Sequence, residues 1–301
     1  MKTSTKIWLV LAALLVLLGI GVFMAAVAAM DFDLTNLSTH KFERKTYEVE
    51  GDFENITVDT TISAVTFMPS TDGKCRVGCD EMPKITHSVS VKDSTLVIET
   101  KDSRKWYDYI GFFIGDMRMT VYLPQNEFKS LIMKTDTGDI DIPENFSFEN
   151  VSIESDTADI DFLADASSDL KLSTDTGEIT VKSVVSDGDI YLETDTGEIT
   201  LTDVKCNKLT AESNTGKISL INTVAKDSFS IENNTGGVRF EKCDAGEIFV
   251  ETDTGSVTGT LLSDKVFITE TSTGNIDVPK TTSGGRCEIT TSTGNIKIEI
   301  E

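Results

Sequence analysis

The sequence predicts an all-β protein: a right-handed parallel β-solenoid with a β-rich N-terminal cap, preceded by one transmembrane helix. Three observations carry this expectation. A Thr-Gly-x-Ile phrase recurs along the second half of the chain, with its glycine slot filled by Gly138, Ala158, Gly177, Gly197, Gly216, Gly236, Gly255, Gly274 and Gly294, at spacings of 19 or 20 residues. Apolar residues two apart flank every copy, as in Leu170/Leu172 before the slot and Ile179/Val181 after it. Ile7 to Met30 is a run of 24 residues without a charge.

Each copy reads as two short strands around a turn. A spacing of two puts side chains on one face of a strand, so Leu131/Met133, Val151/Ile153, Ile190/Leu192 and Phe229/Ile231 are inward pairs before the turn, and Ile140/Ile142, Ile160/Phe162, Ile199/Leu201 and Ile276/Val278 are inward pairs after it. At the turn, Asp or Asn bonds its own backbone and Gly supplies a positive φ. Ala158 departs from that rule and should cost about 1 kcal/mol if its φ is positive. No single rung buries its apolar face, whereas a stack buries them all. Successive rungs should pair in parallel, and crossover handedness favours a right-handed coil.

The expected organisation is an anchor or long signal segment over 1–30, a polar stem over 31–44, a first rung with a β cap insertion over 45–130, and a nine-rung solenoid over 131–301. The apolar run is long enough for a hydrocarbon core of about 30 Å. Lys2 and Lys6 precede it and Asp31 and Asp33 follow it, which places the N-terminus in the cytoplasm and the body outside. Ala26-Val27-Ala28 offers an alternative cleavage site, but the run exceeds the usual signal-peptide length. In the insertion, Ile56 to Phe67 repeats the rung pattern with Ser63 in the glycine slot, and Lys92-Asp93-Ser94 between alternating runs signals a hairpin. The cap would shield an otherwise open sheet edge.

The chain carries 27 Lys plus Arg against 50 Asp plus Glu, a net charge of −23. Such a surface repels nucleic acid, which is excluded as a partner. The five cysteines, Cys75, Cys79, Cys206, Cys243 and Cys287, are odd in number, so one at least is unpaired within the chain. Cys287 falls on an inward column and reads as a small hydrophobe; Cys75 and Cys79 lie close enough in sequence for a local bridge that nothing demands. His40 and His87 are far apart and suggest no chemistry by themselves.

Asp-Thr-Gly, at Asp136, Asp175, Asp195 and Asp253, is also the active-site phrase of aspartic proteases. That mechanism needs two facing carboxylates that share a proton, whereas a repeated turn stacks them in a column and explains every copy. Polysaccharide lyases and hydrolases use β-helices too, but they need carboxylates and bases clustered on loops that leave the coil, and rungs differing by one residue leave no such loops. No catalytic residues are expected. Two acid columns, Asp136, Asp156, Asp175, Asp195 and Asp139, Asp159, Glu178, Glu198, read as a hydrated face; if a cation binds there, oxygen-only ligands favour weakly held Ca²⁺. No other cofactor is implied. The bulky cluster Trp106, Tyr107, Tyr109, Phe112 and Phe113 is the candidate partner site, docking on a protein or at the membrane interface, with an end plug for the solenoid as the competing role.

With these residues in view, the chain resembles the bacterial putative-adhesin family of envelope proteins, with an N-terminal span and a solenoid of Thr-Gly-x-Ile rungs. The resemblance covers roughly Tyr47 to Glu301, including Tyr122-Leu123-Pro124 before the repeats. It implies a membrane-anchored, extracytoplasmic adhesin-like binding or display protein without catalysis, held to the membrane by its N-terminal helix and facing an envelope protein or wall polymer. The alternative it implies is an envelope-stress sensing component acting through a membrane protein.

Overall fold

A computed structural model describes residues 3–29, 42–61, 63–106 and 117–301. They belong to two compact units, Met1–Phe42 with Ser103–Gly115, and Glu43–Asp102 with Asp116–Glu301. In the first unit, α1 (Thr3–Ala29) is apolar on every side, with Trp8, Leu14, Leu17, Leu18 and Phe23 exposed. Its stretch Ile7–Ala29 is long and apolar enough to cross a membrane. A helix apolar all round belongs in lipid or a protein core rather than in water.

The second unit is entirely β. It opens with β1 (Glu43–Glu48), β2 (Asn55–Thr60), β3 (Ser63–Pro69), β4 (Arg76–Glu81), β5 (Ile85–Lys92), β6 (Thr95–Asp102) and β7 (Met117–Leu123). The repeats follow as β8 (Glu127–Thr137) and β9 (Ile140–Ile142), β10 (Ser147–Thr157) and β11 (Ile160–Phe162), the short β12 (Asp165–Ala166), β13 (Leu170–Thr176) and β14 (Ile179–Lys182), β15 (Asp189–Thr196) and β16 (Ile199–Thr202). They continue through β17 (Lys205–Thr215), β18 (Ile218–Ile221), β19 (Val224–Thr235), β20 (Val238–Thr254), β21 (Val257–Leu261), β22 (Lys265–Thr273), β23 (Ile276–Asp277), β24 (Gly285–Thr293) and β25 (Ile296–Ile300).

Strands before the turns stack in parallel into one long sheet and strands after them into a second, with the core between. The inward column Ile140, Ile160, Ile179, Ile199, Ile218, Val238, Val257 and Ile296 runs in register along the second sheet, and all eight are essentially inaccessible. One contiguous core extends from Ile56 to Ile298. Around β19 the change between spacings of 19 and 20 residues has a local cause. Between β17 and β19 the register shifts after Cys206, and between β19 and β20 it shifts back after Ala225. A bulge at the corner absorbs the extra residue, so the inward columns stay aligned.

The slot glycines Gly138, Gly177, Gly216, Gly236 and Gly274 have the expected positive φ, and a second demand for glycine adds to it. A Cβ on Gly177 would lie 1.9 Å from the Ala158 carbonyl oxygen, and one on Gly216 would lie 1.7 Å from that of Gly197. Close approach of successive rungs therefore excludes a side chain even before φ is considered. Ala158 is not among the residues with positive φ, so the expected strain there is absent. Three residues before each slot stands a small polar residue: Thr135, Ser155, Thr174, Thr194, Ser213, Asn233, Thr252, Thr271 or Thr291, all but Thr271 fully buried. Thr194 Oγ1 donates to the Gly177 carbonyl at 3.0 Å, Asn233 Nδ2 to Gly216 at 2.8 Å and Thr291 Oγ1 to Gly255 at 3.0 Å. The slot amides donate to the next rung, as Gly197 does to the Thr215 carbonyl at 2.9 Å. The invariant Thr before the slot is exposed and contributes its backbone.

The ends do not follow chain order. At the C-terminal end β24 pairs with both β20 and β22, and β25 with both β21 and β23. The last copy is thus inserted beneath the one before it, and Ile276, expected inward, is 44% exposed on the outermost rung. The N-terminal end uses the same device: β2 lies between β6 and β8, and β3 between β7 and β9. Beyond β6 and β7 come the antiparallel strands β5, and β4 followed by β1, which form the cap. The Lys92–Thr95 hairpin forms with Asp93 and Ser94 both at positive φ, the geometry of a tight two-residue turn.

Gly216→Ala should destabilise the body by about 2–4 kcal/mol, because the new Cβ meets a backbone oxygen that cannot move without shifting a rung; the melting temperature should fall by roughly 5–15 °C. Gly51→Ala provides the control, since Gly51 has a positive φ of 99° and nothing within 4 Å of a new Cβ. It should cost only about 1 kcal/mol. Equal losses would assign the demand for glycine to φ rather than to rung contact.

Candidate functional site

The acid columns lie where the repeats place them. Asp136, Asp156, Asp175 and Asp195 project from the end of each pre-turn strand and are exposed, as are Asp139, Asp159 and Glu178, with Glu198 half-buried. They engage the stack itself. The Glu178 amide donates to Asp159 Oδ1 at 2.8 Å and the Asp159 amide to Asp139 Oδ1 at 3.2 Å. Asn214 Nδ2 donates to Asp195 Oδ1 at 2.6 Å, and Asn234 Nδ2 to Asn214 Oδ1 at 2.7 Å, so the columns continue into an amide ladder. Among the described residues no three His, Cys, Asp or Glu converge to hold a metal ion. The Asp-Thr-Gly aspartates sit one to a rung in this column, which is the geometry of a turn ladder and not of a shared-proton pair.

Of the aromatic cluster, Trp106 is 77% exposed; Tyr107, Tyr109, Phe112 and Phe113 lie outside the described residues. Lys171 stands 5.5 Å from the Tyr191 ring on the outer face of the first sheet, and Tyr191 Oη reaches Glu193 and Glu212 at 3.0 and 3.3 Å. Partial burial, then the neighbouring Glu193 and Glu232, push the Glu212 carboxyl up despite the Tyr191 hydrogen bond. Further along this face Glu232, Phe249, Glu251, Glu288 and Thr290 line a shallow depression of about 280 Å³.

The cap holds a polar cluster that sequence spacing did not indicate, because it joins three strands. Tyr47 on β1 donates to Glu81 Oε1 on β4 at 2.5 Å, the His87 amide on β5 donates to the same oxygen at 2.8 Å, and Lys45 Nζ lies 3.6 Å from Glu81 Oε2. The His87 side chain is fully buried, and neither ring nitrogen has a hydrogen-bond partner. Burial pushes the imidazole down from 6.5 in spite of Glu81. Burial opposes ionisation of Glu81, but Tyr47, the His87 amide and Lys45 outweigh it and hold the carboxyl below 4.5. With no solvent access to its imidazole, the cluster is arranged as a cap strut.

All five cysteines are buried and free. Cys75 and Cys79, four residues apart on extended chain, are separated by about 13 Å of strand and form no local bridge. Burial pushes the Cys75, Cys79, Cys206 and Cys287 thiols up to about 12 and Cys243 up to about 11. At neutral pH they are not thiolates, and so are inert packing residues.

Stacked Thr-Gly-x-Ile rungs, closed at one end by antiparallel strands, define a β-solenoid of the toastrack type. The chain belongs to the family described as Toastrack DUF4097, which matches residues 53–299. It is similar to crystal structures of a putative adhesin from Parabacteroides distasonis (12% identity, TM-score 0.53, covering 86% of this chain and 98% of that one) and a putative adhesin from Bacteroides fragilis (16%, 0.49, 86% and 97%). A third, described as a putative lipid binding protein from Parabacteroides distasonis, shows 13% identity and a TM-score of 0.44 over 87% and 98%. At these identities the likeness is one of fold. No curated protein matches the chain.

His87 sets a pH dependence whose sign follows from its direction of shift. A histidine held neutral in the folded state stabilises above its unfolded value, and that stability declines as pH falls below about 6.5. Against His87→Leu, the wild type should lose relative melting temperature between pH 7.5 and 5. Glu81, depressed below 4.5, loses its contribution only in more acid solution. A pH-independent difference between the two proteins would show that His87 titrates normally.

Millimolar Ca²⁺ and ionic-strength-matched NaCl should raise the melting temperature equally, as expected for screening of a solvated acidic face. A Ca²⁺-specific rise abolished by the triple substitution Asp156→Asn, Asp175→Asn, Asp195→Asn would instead identify a bound cation through linkage.

Proposed function

We propose that this chain is a membrane-anchored, extracytoplasmic binding or display protein of the cell envelope that performs no catalysis. The observation that carries the reading is the regularity of the rungs. Throughout the repeats the outer surface is built from short turns and exposed strand faces, without the excursions on which solenoid enzymes assemble acid, base and cation. The apolar helix supplies an attachment, and the Lys2/Lys6 to Asp31/Asp33 asymmetry favours a body outside the cytoplasm. A rigid stack presented from a membrane suits contact with a wall polymer or a neighbouring envelope protein. Exposed Trp106 favours the aromatic segment as one point of contact, since bulky exposed side chains concentrate at interaction sites.

Capture from intact envelope by the full chain, with and without residues 104–116, tests this reading. The deletion should leave thermal stability nearly unchanged and weaken capture. Retention on purified wall polymer supports adhesion, whereas recovery of one defined membrane protein supports signalling. A large loss of stability on deletion would reassign the segment to packing.

A further inference from the structure

The two ends of the β unit are finished differently. At the cap end the outermost strands are polar: β1 exposes Glu43, Arg44, Lys45 and Thr46, and β5 turns Thr86, Ser88 and Ser90 outward. Charged or polar edges discourage strand addition. At the other end β22 pairs with β24 on one side and, among the described residues, with no strand on the other. Its side chains are not those of a protected edge. Val266 and Ile268 point outward, 38% and 49% exposed, and Phe267 and Thr269 lie half-buried over Cys287 and Ile289, which are completely covered.

This edge is fixed in place. Lys265 is buried at its start, where Nζ donates to Asp244 Oδ1 at 2.6 Å and Ser263 Oγ at 2.7 Å. Thr281 Oγ1 donates to the Lys265 carbonyl. Towards its end Thr271 Oγ1 donates to the Gly294 carbonyl at 3.0 Å. The strand is therefore ordered before any partner arrives, which lowers the entropy cost of adding one.

The outward column of this edge reads Asp264, Val266, Ile268, Glu270: two apolar side chains bracketed by acids. A second copy is a poor match. An antiparallel pair of edges that sets Val266 against Ile268 also sets Asp264 against Glu270, at both ends, between chains each of net charge −23. Like charges directly opposite one another destabilise a strand pair. The complementary sequence has basic, apolar, apolar, basic side chains at alternate positions, and it fits in either direction because the acidic bracket is symmetric.

The geometry points to β22 as a strand-addition site that takes an extended, cationic segment of another protein, pairing with the β22 backbone and closing the open end of the core over Phe267. The mode is β-augmentation, in which backbone hydrogen bonds supply affinity and alternate side chains supply selectivity. This deepens the binding reading above and rests on it only in making the partner a protein; retention on wall polymer remains a separate measurement with its own outcome.

The test uses the full chain in detergent micelles and two blocked heptapeptides, Lys-Thr-Val-Val-Ile-Thr-Lys and its counterpart with Glu at both ends. The basic peptide should bind at least about tenfold more tightly, with affinity falling as salt rises, and should slow hydrogen exchange at residues 266–272. Ile268→Lys, which places a cation on the edge, should weaken binding about tenfold or more while the melting temperature changes little. Equal binding of the two peptides, no binding, or protection elsewhere in the chain would overturn the assignment. So would a concentration-dependent dimer that protects β22 without peptide, which would make a second copy the occupant. Should Ile268→Lys fail to fold, exchange protection on the unsubstituted chain decides alone.

Discussion

Contact between the bare α-carbon of one turn and the carbonyl of the turn beneath it is what the stack depends on. Parallel strands sit about 4.8 Å apart, and at the glycine slots the chain turns sharply while keeping that spacing, leaving no volume for a methyl group there; Ala158, without a positive φ, is the one repeat slot that carries one. The consequence spreads outward. With the slot carbonyls drawn into the corner, most receive a donor from the neighbouring rung, the buried Thr, Ser or Asn three residues before that rung's own slot, as Thr174 does for Ala158 and Thr252 for Gly236. A buried carbonyl left unpaired costs about 1–3 kcal/mol, so this polar column inside an apolar core is a structural requirement. The apolar columns supply most of the burial; the slot and its donor fix the rung spacing at which those columns meet.

Much of this was legible in the sequence because it is periodic. The spacing of the slots gives the rungs, the spacing of two gives the inward faces, and Lys92-Asp93-Ser94 gives the hairpin. The buried donor column is equally periodic, yet nothing in the sequence singles out Thr135, Thr174 and Thr194, since composition does not distinguish a hydroxyl facing water from one facing a carbonyl. The order of the end rungs was not legible in any form. A period states that a segment makes a turn and not which turn it lies upon, so the insertion of Ile296 between Val257 and Ile276 leaves no local mark. The same holds for β6 and β7, which form a rung without a Thr-Gly turn, and for Glu81, His87 and Tyr47, which meet only through cap topology.

The acid columns show how repetition can imitate a site. Eight carboxylates aligned by sequence look like a ligand set, but a repeat places equivalent groups one above another instead of around a point. Their oxygens are partly used by the amides of the next rung and, at Asp195, by an asparagine. A cation site needs ligands converging from several directions, and translation along one axis does not produce that. The same argument weighs against a shared-proton pair of Asp-Thr-Gly aspartates.

Function in such a molecule is therefore expected where translation stops. Inside the stack each rung is satisfied by two neighbours and its surface differs little from the next. At an end one neighbour is missing, and the chain must either supply a substitute or leave the edge available. Here the first end is closed by antiparallel strands running against the stack, with buried Glu81 and His87 and half-buried Tyr47 joining them. Among the described residues the second end is finished by exchanging the order of its last two rungs. That exchange tucks β24 under β22 and β25 under β23, and it leaves a rung with half-buried Phe267 and exposed Ile268 outermost. A polar end would have been the simpler solution for solubility. Apolar side chains on a rigid edge, between two acids that oppose self-association, suit a strand of opposite charge better than a second copy of the chain.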